Sequence, residues 1–151
     1  MSKKRLQDID TGQVWHPFDL IKLPENILIE YGEGAWLWAS DGKKYLDVIS
    51  SWWVNLHGHS EPHLIKALTM QAQKLEHVIF AGFTHEPAIR FVERLLQLIH
   101  WHSRGFYSDN GSTAVEVALK MAFQYWYNKG LTKTKVIAIE GSYHGDTFGA
   151  M

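Results

Sequence analysis

Cysteine is absent from the 151 residues. The chain therefore holds neither a disulfide frame nor a thiolate metal site, which fits a reducing compartment and sets a cytoplasmic location as the expectation. An excess of charge is missing too: 15 Lys and Arg stand against 16 Asp and Glu, a net charge of −1. No long-range field draws such a chain to nucleic acid or to an anionic membrane, so neither is expected as a partner. The one basic cluster, Lys3, Lys4 and Arg5, reads as a solvated tail. No apolar run is long enough to span a bilayer. No apolar segment follows the N-terminal charges, so no signal peptide is expected. Internal repeats and low-complexity stretches are also lacking.

Aromatic residues are plentiful: 13% of the chain, including seven tryptophans. They point either to a large core or to a flat, π-lined pocket. Hydrophobic residues at 46% and charged residues at 21% are ordinary for a globular protein, and the length suits one domain.

Residues 1–11 are polar and are expected to be loose. Residues 27–31, 35–38 and 44–48 read as short strands, and Asp41-Gly42 is a strong hairpin signal between the last two. A loop over 50–60 follows, with Trp52, Trp53, His57, Gly58 and His59. Pro62 opens a helix carrying Leu64, Ile65, Leu68, Ala72 and Leu75 on one face. Residues 80–84 are irregular. Pro87 lies in the first turn of a further helix, with Ile89, Val92, Leu95, Leu96 and Ile99 inward. The last third changes style. A short strand is expected over 105–108 and a turn at Asp109-Asn110-Gly111-Ser112. A helix follows over 113–128, with Thr113 and Glu116 as its capping box, and Gly130 ends it. A buried-type strand is expected over 135–139, then the loop Gly141-Ser142-Tyr143-His144-Gly145. Strand, helix, strand at this length reads as a βαβ unit with a parallel pair. Because such a pair cannot bury both its faces, the chain is expected to stop in mid-fold.

Four features carry chemistry. Ser108-Asp109-Asn110-Gly111-Ser112-Thr113 joins the carboxyl end of a strand to the amino end of a helix, where unpaired N–H groups and the helix dipole favour an anion. It suits a phosphate cup; the alternative is a plain βα turn with a good N-cap. On spacing alone the plain turn is the better reading, and the segment is neither a Walker loop nor a dinucleotide fingerprint. Gly141-Ser142-Tyr143-His144-Gly145-Asp146 follows the next strand. In parallel sheets ligands bind beyond the carboxyl ends of strands, so this loop is expected to share a crevice with the cup. Tyr143 can lay its ring on a flat cofactor or simply pack, and His144 or Asp146 can order the site. In Ser51-Trp52-Trp53, neighbouring tryptophans in an extended loop face opposite ways, one to core and one to a pocket, unless both are core. His57, His59 and His63 invite a metal reading, but with no cysteine and with Glu61 as the only carboxylate in the segment, no metal is expected. His100 and His102 at a helix end are accounted for by the helix dipole.

Residues 50–59, Ser-Ser-Trp-Trp-Val-Asn-Leu-His-Gly-His, resemble the N-terminal signature of the class-III, pyridoxal-phosphate (PLP) dependent aminotransferases. Within them they resemble the branch that makes diaminopelargonic acid in biotin biosynthesis. The resemblance continues through residues 77–85, through Tyr107-Ser108-Asp109-Asn110-Gly111-Ser112-Thr113 into residue 122, and through Tyr143-His144-Gly145-Asp146 to Met151, covering about residues 14–151. The loop at 143–146 and the turn at 111–112 are common to class III, whereas Trp52-Trp53 and the ending at 144–151 are narrower. The resemblance implies an α/β chain, the N-terminal part of a PLP fold-type I enzyme. Residues 1–60 would hold the small antiparallel sheet, and 61–151 would begin the parallel-sheet, PLP-binding large domain. It implies a homodimer with active sites at the subunit interface. It also implies transfer of an amino group to 8-amino-7-oxononanoate, usually from S-adenosylmethionine. Gly111 and Ser112 would hold the PLP phosphate, Tyr143 would stack on the pyridine ring and touch substrate, and Trp52 would line the substrate pocket. Phe18 stands where many members have tyrosine, and Asp19 where threonine is commoner. Both bear on the choice of amino donor, for which lysine stays open. The Schiff-base lysine, the aspartate facing the ring nitrogen and the arginine gripping the substrate carboxylate lie later in the family's chain, so no catalytic residue is assigned here. Such a fragment is expected to be inactive alone. The alternatives are another class-III aminotransferase with an ornithine-like substrate, or a non-catalytic domain.

Overall fold

The computed structural model describes residues 2–18 and 26–151. The chain forms two compact units, Met1–Val78 and Ile79–Met151.

The first unit is built on a three-stranded antiparallel sheet of β1 (Ile29–Glu33), β2 (Trp36–Ala39) and β3 (Lys44–Leu46), in that order. The register pairs Tyr31 with Trp38, Trp36 with Leu46 and Trp38 with Lys44. Side chains two apart on a strand share a face, and that alternation assembles an aromatic ladder. Tyr31 stacks on Trp38 at 4.6 Å, and the Lys44 ammonium lies 4.0 Å from the Trp36 ring and 4.9 Å from that of Trp38. Cross-strand pairs of this kind supply much of the stability of a small sheet. Asp41-Gly42 makes the hairpin as expected. Gly42 takes φ +85, a conformation strained for any other residue, and the Asp41 carboxylate accepts from the Lys43 N–H at 3.0 Å.

Where a loose tail was expected there is a helix, α1 (Lys3–Gln13). Ser2 caps it by accepting from the Arg5 N–H. The Lys3 ammonium donates to the Ser40 carbonyl and pairs with Glu30, each at 2.7 Å. Leu6, Ile9 and Val14 line a cavity of about 350 Å³ with Ile27, Leu28 and Ile29. The polar composition concealed this helix because its anchors lie on the sheet, far along the chain.

After β3 the chain makes one tight turn, α2 (Ser50–Trp53), and then returns to the sheet. The return is held at His59, whose backbone bonds both ways with Gly34, at 3.0 and 2.7 Å. Its ring donates from Nε2 to Asp47 at 2.8 Å, and Asp47 also accepts from the Ser51 hydroxyl at 2.7 Å. Hydrogen bonds from Ser51, then from His59, hold the Asp47 carboxyl down to about 2. Helix α3 (Pro62–Lys74) follows, with Glu61 as N-cap accepting from the Leu64 N–H. Its stripe of Leu64, Ile65 and Leu68 faces solvent rather than a core.

The second unit holds α4 (Glu86–Leu98) and α5 (Gly111–Asn128). His85 caps α4. Val92, Leu95, Leu96 and Ile99 are half-buried, while Ile89, expected inward with them, is exposed. The Tyr107 hydroxyl donates to the Ala88 carbonyl at 2.7 Å, and its ring meets Phe80 and Phe91. This packs the 105–108 segment on α4. Helix α5 begins two residues before the expected start. Its capping box joins Asn110 and Thr113, not Thr113 and Glu116: the Asn110 side chain accepts from the Thr113 N–H at 2.9 Å, and the Thr113 hydroxyl accepts from the Asn110 N–H. Asparagine is as good an N-cap as serine, and the threonine hydroxyl substitutes for the usual carboxylate. Gly130, at φ +70, closes the helix with bonds from its own N–H and that of Leu131 to Tyr127 and Trp126.

The expected strands at 105–108 and 135–139 form no ladder; among the described residues the only sheet is the three-stranded one. A parallel strand needs neighbours, and Ile137, 98% exposed, has none. The buried apolar residues among the described ones are alanines, Ala39, Ala88 and Ala150.

Two outcomes are expected. Asn110→Ala removes the α5 cap and lowers the unfolding free energy by about 1 kcal/mol, read from denaturant melts. Asp47 titrates lower in the folded chain than in the unfolded one, so its contribution is present above the ordinary carboxylate value of 3.8 and lost as pH falls towards about 2. Melts of Asp47→Asn against the native chain should therefore differ at neutral pH and converge in strong acid.

Candidate functional site

The second unit brings the two sequence features together. The Asp146 N–H donates to the Ser112 hydroxyl at 3.0 Å, and the Thr147 hydroxyl reaches the Ser112 carbonyl at 3.4 Å. Residue 145 passes so close that a Cβ there would lie 2.6 Å from Ser112 Oγ and 2.8 Å from its Cα. With φ at +143 as well, only glycine fits. A second anchor was not read from the sequence: Glu116, one helical turn beyond Ser112, accepts from the Gly149 N–H at 2.6 Å. No local signal marks a partnership across 33 residues.

Loop 141–146 is ordered internally. The Tyr143 hydroxyl donates to the Asp146 carboxylate at 2.7 Å, which holds the phenol above its usual pKa and hence protonated at neutral pH. The Ser142 hydroxyl donates to the Ile139 carbonyl at 2.6 Å and meets His144 Nε2 at 2.9 Å. Tyr143 itself is 74% exposed, so its ring face is open to a ligand.

At the start of α5, Asp109 and Asn110 turn their side chains inward on Thr113. Among the described residues the Gly111 and Ser112 N–H groups have no acceptor, and a Cβ on Gly111 would meet nothing within 4 Å. Two free amide donors, a hydroxyl and the positive end of an 18-residue helix thus converge in open space. This donor set matches a phosphate dianion.

In the first unit Phe18 and Trp52 meet with ring centroids 5.3 Å apart, and Trp53 lies edge-on to Trp52 at 6.2 Å. Sequence reasoning treated Trp52 and Trp53 as alternating residues of an extended segment. They belong instead to a turn in which Ser50, Ser51, Trp52 and Trp53 take φ +49, +46, +65 and +68. Each non-glycine residue held there costs of order 1 kcal/mol. The turn leaves all three rings exposed. Asp19, beside Phe18, lies outside the described residues. Of the three histidines at 57, 59 and 63, His59 serves the scaffold: it bonds Asp47 through Nε2, and its Nδ1 accepts from the Asn55 amide at 3.2 Å.

Gly145→Ala should push the loop away from Ser112 and cost more than about 1 kcal/mol of stability. Faster hydrogen exchange at the Asp146 amide is the readout, and unchanged exchange there would contradict the close packing.

The family model of the class-III aminotransferases matches residues 22–151. The adenosylmethionine-8-amino-7-oxononanoate aminotransferase of Synechococcus elongatus is 52% identical over 140 residues, which is 91% of this chain and 33% of the relative. That of Aquifex aeolicus is 41% identical over the whole chain and 34% of its own length. The crystal structure of the Methanocaldococcus jannaschii enzyme of the same name superposes with a TM-score of 0.92 at 40% identity, over 99% of this chain and 35% of that one. A taurine:2-oxoglutarate aminotransferase from Bifidobacterium kashiwanohense, solved with PLP and glutamate, shares the fold at 24% identity and a TM-score of 0.87, over 99% of this chain and 32% of that one. The chain thus spans about a third of the length of the relatives it matches. It belongs to the class-III aminotransferase family.

Proposed function

We propose that this chain is the cofactor-phosphate and substrate-wall portion of a PLP-dependent aminotransferase that converts 8-amino-7-oxononanoate to 7,8-diaminononanoate, with S-adenosylmethionine as the amino donor. The observation that carries this reading is the pair of acceptor-free N–H groups at Gly111 and Ser112, joined through Asp146 to the loop that holds the exposed ring of Tyr143, in a chain 52% identical to a relative of that name. Gly111 and Ser112 would hold the phosphate through their amides and the Ser112 hydroxyl. Tyr143 would lie against the pyridine ring, its hydroxyl engaged by Asp146. PLP, when bound, supplies the electron sink for breaking a Cα–H bond. Trp52 would line the substrate pocket with Phe18 beside it. A phenyl ring at 18 offers an apolar face without a hydroxyl, which suits stacking on an adenine or alkyl group. No lysine of this chain is assigned to the covalent bond with the cofactor. Cytoplasmic location, a homodimer, and a sheet-bearing segment at 1–60 followed by the cofactor-binding segment at 61–151 complete the proposal. Among the described residues no helix is long and apolar enough to cross a membrane.

The test is made on the full-length protein that carries this chain. It is reduced with borohydride in the presence of PLP, weighed intact, and assayed for 7,8-diaminononanoate with S-adenosylmethionine or lysine as donor. One pyridoxyl group per chain and product from 8-amino-7-oxononanoate are expected. Product from an ornithine-like substrate alone would overturn the assignment. Ser112→Ala should weaken PLP binding by about tenfold or more, since it removes a hydroxyl bonded to a charged group.

A further inference from the structure

The turn Ser50–Trp53 cannot rest on its own preferences. Four consecutive non-glycine residues have positive φ. Backbone bonds from the Trp53 and Val54 N–H groups to Ile49 and Ser50 close the turn at 2.9 and 3.0 Å, but they do not fix where it points. Within it, Ser51 holds Asp47 twice, through its backbone N–H and through its hydroxyl, the latter to Asp47 Oδ2. The same oxygen accepts from His59 Nε2. Neither Asp47 nor His59 has a role in the reading above, yet their side chains are only 6% and 14% exposed in a chain where large residues are mostly open. With Nε2–H donating to Asp47, Nδ1 is left to accept from the Asn55 amide, so the neutral ring is satisfied on both sides. The ring is confined further by Gly32, where a Cβ would lie 2.8 Å from it, and by the two-way backbone pairing of His59 with Gly34.

We propose that Asp47 and His59 are positioning residues: His59, fixed to the end of the sheet, orients the Asp47 carboxylate, which grips Ser51 and thereby sets the direction of the Trp52 ring against Phe18. The pair acts on substrate only through Trp52, and this inference rests on the reading of Trp52 as a wall of the pocket for 8-amino-7-oxononanoate. Asp47→Asn keeps the shape but leaves an amide unable to serve two donors with one charge. Ser51→Ala removes the hydroxyl half of the same grip from the exposed side, where misfolding is not at issue, and keeps the backbone N–H bond to Asp47.

The experiment uses the full-length holoenzyme and has two arms. Circular dichroism near 230 nm reads the coupling of the edge-on Trp52–Trp53 pair, with Trp53→Phe identifying that signal among the other tryptophans. Steady-state kinetics separates KM for 8-amino-7-oxononanoate from the rate of the half-reaction with the amino donor. Both Asp47→Asn and Ser51→Ala are expected to diminish the Trp coupling and to raise that KM by about tenfold, leaving the donor half-reaction within about twofold. Coupling unchanged in both variants overturns the proposal whatever the kinetics. Coupling lost while KM is unchanged overturns the link to substrate. If the protein makes no 7,8-diaminononanoate at all, the assigned function fails, and the dichroism alone still decides whether the pair directs the turn.

Discussion

Gly145 passes Ser112 at a distance that leaves no room for a side chain, and the seating of residues 145–149 on α5 follows from that approach. The loop is brought to the start of α5 so closely that its Asp146 amide bonds the Ser112 hydroxyl. One turn further along the helix Glu116 takes the Gly149 amide. Two backbone N–H groups of the loop are thereby satisfied by helix side chains. The arrangement leaves the Gly111 and Ser112 amides without acceptors and aimed outward.

The first unit depends on a different constraint. Its sheet is small, and its aromatic ladder of Tyr31, Trp36 and Trp38 with Lys44 is mostly at the surface. What shapes the following loop is polar: Asp47 accepts from Ser51 and His59, and His59 pairs with Gly34. A carboxylate with two donors at short distance is a strong anchor, and it holds a backbone that would not choose its conformation unaided. The strain is concentrated beside the exposed pair Phe18 and Trp52, where a rigid aromatic surface is of use.

Many large apolar residues face solvent, among them Leu68 on α3, Ile137 and Phe148. The stripes that helical spacing marks out on α3 and α4 exist, but on α3 nothing covers them. The segments at 105–108 and 135–139 have the composition of buried strands and no ladder. A sequence pattern records the environment for which residues are suited; pairing and burial need the partner surfaces in place.

The sequence by itself determined the local elements whose causes are local: the Asp41-Gly42 hairpin, the helices opened at Pro62 and Pro87, and the helix that follows Asp109-Asn110 and ends at Gly130. It also carried the family, because the Trp-Trp turn, the Gly-Ser turn and the Tyr-His-Gly-Asp loop are contiguous motifs. Only the tertiary structure decided what rests on contacts between distant residues. It added α1, held by Lys3 on Glu30 and Ser40. It shifted the α5 cap from Thr113 to Asn110, since two hydroxyl- and amide-bearing neighbours compete for the same amides and geometry chooses between them. It made His59 a support for Asp47, and it brought Phe18 to Trp52 across 34 residues of chain. Backbone propensity acts within a few residues, whereas a hydrogen bond or a ring contact between remote residues exists only once the chain has folded.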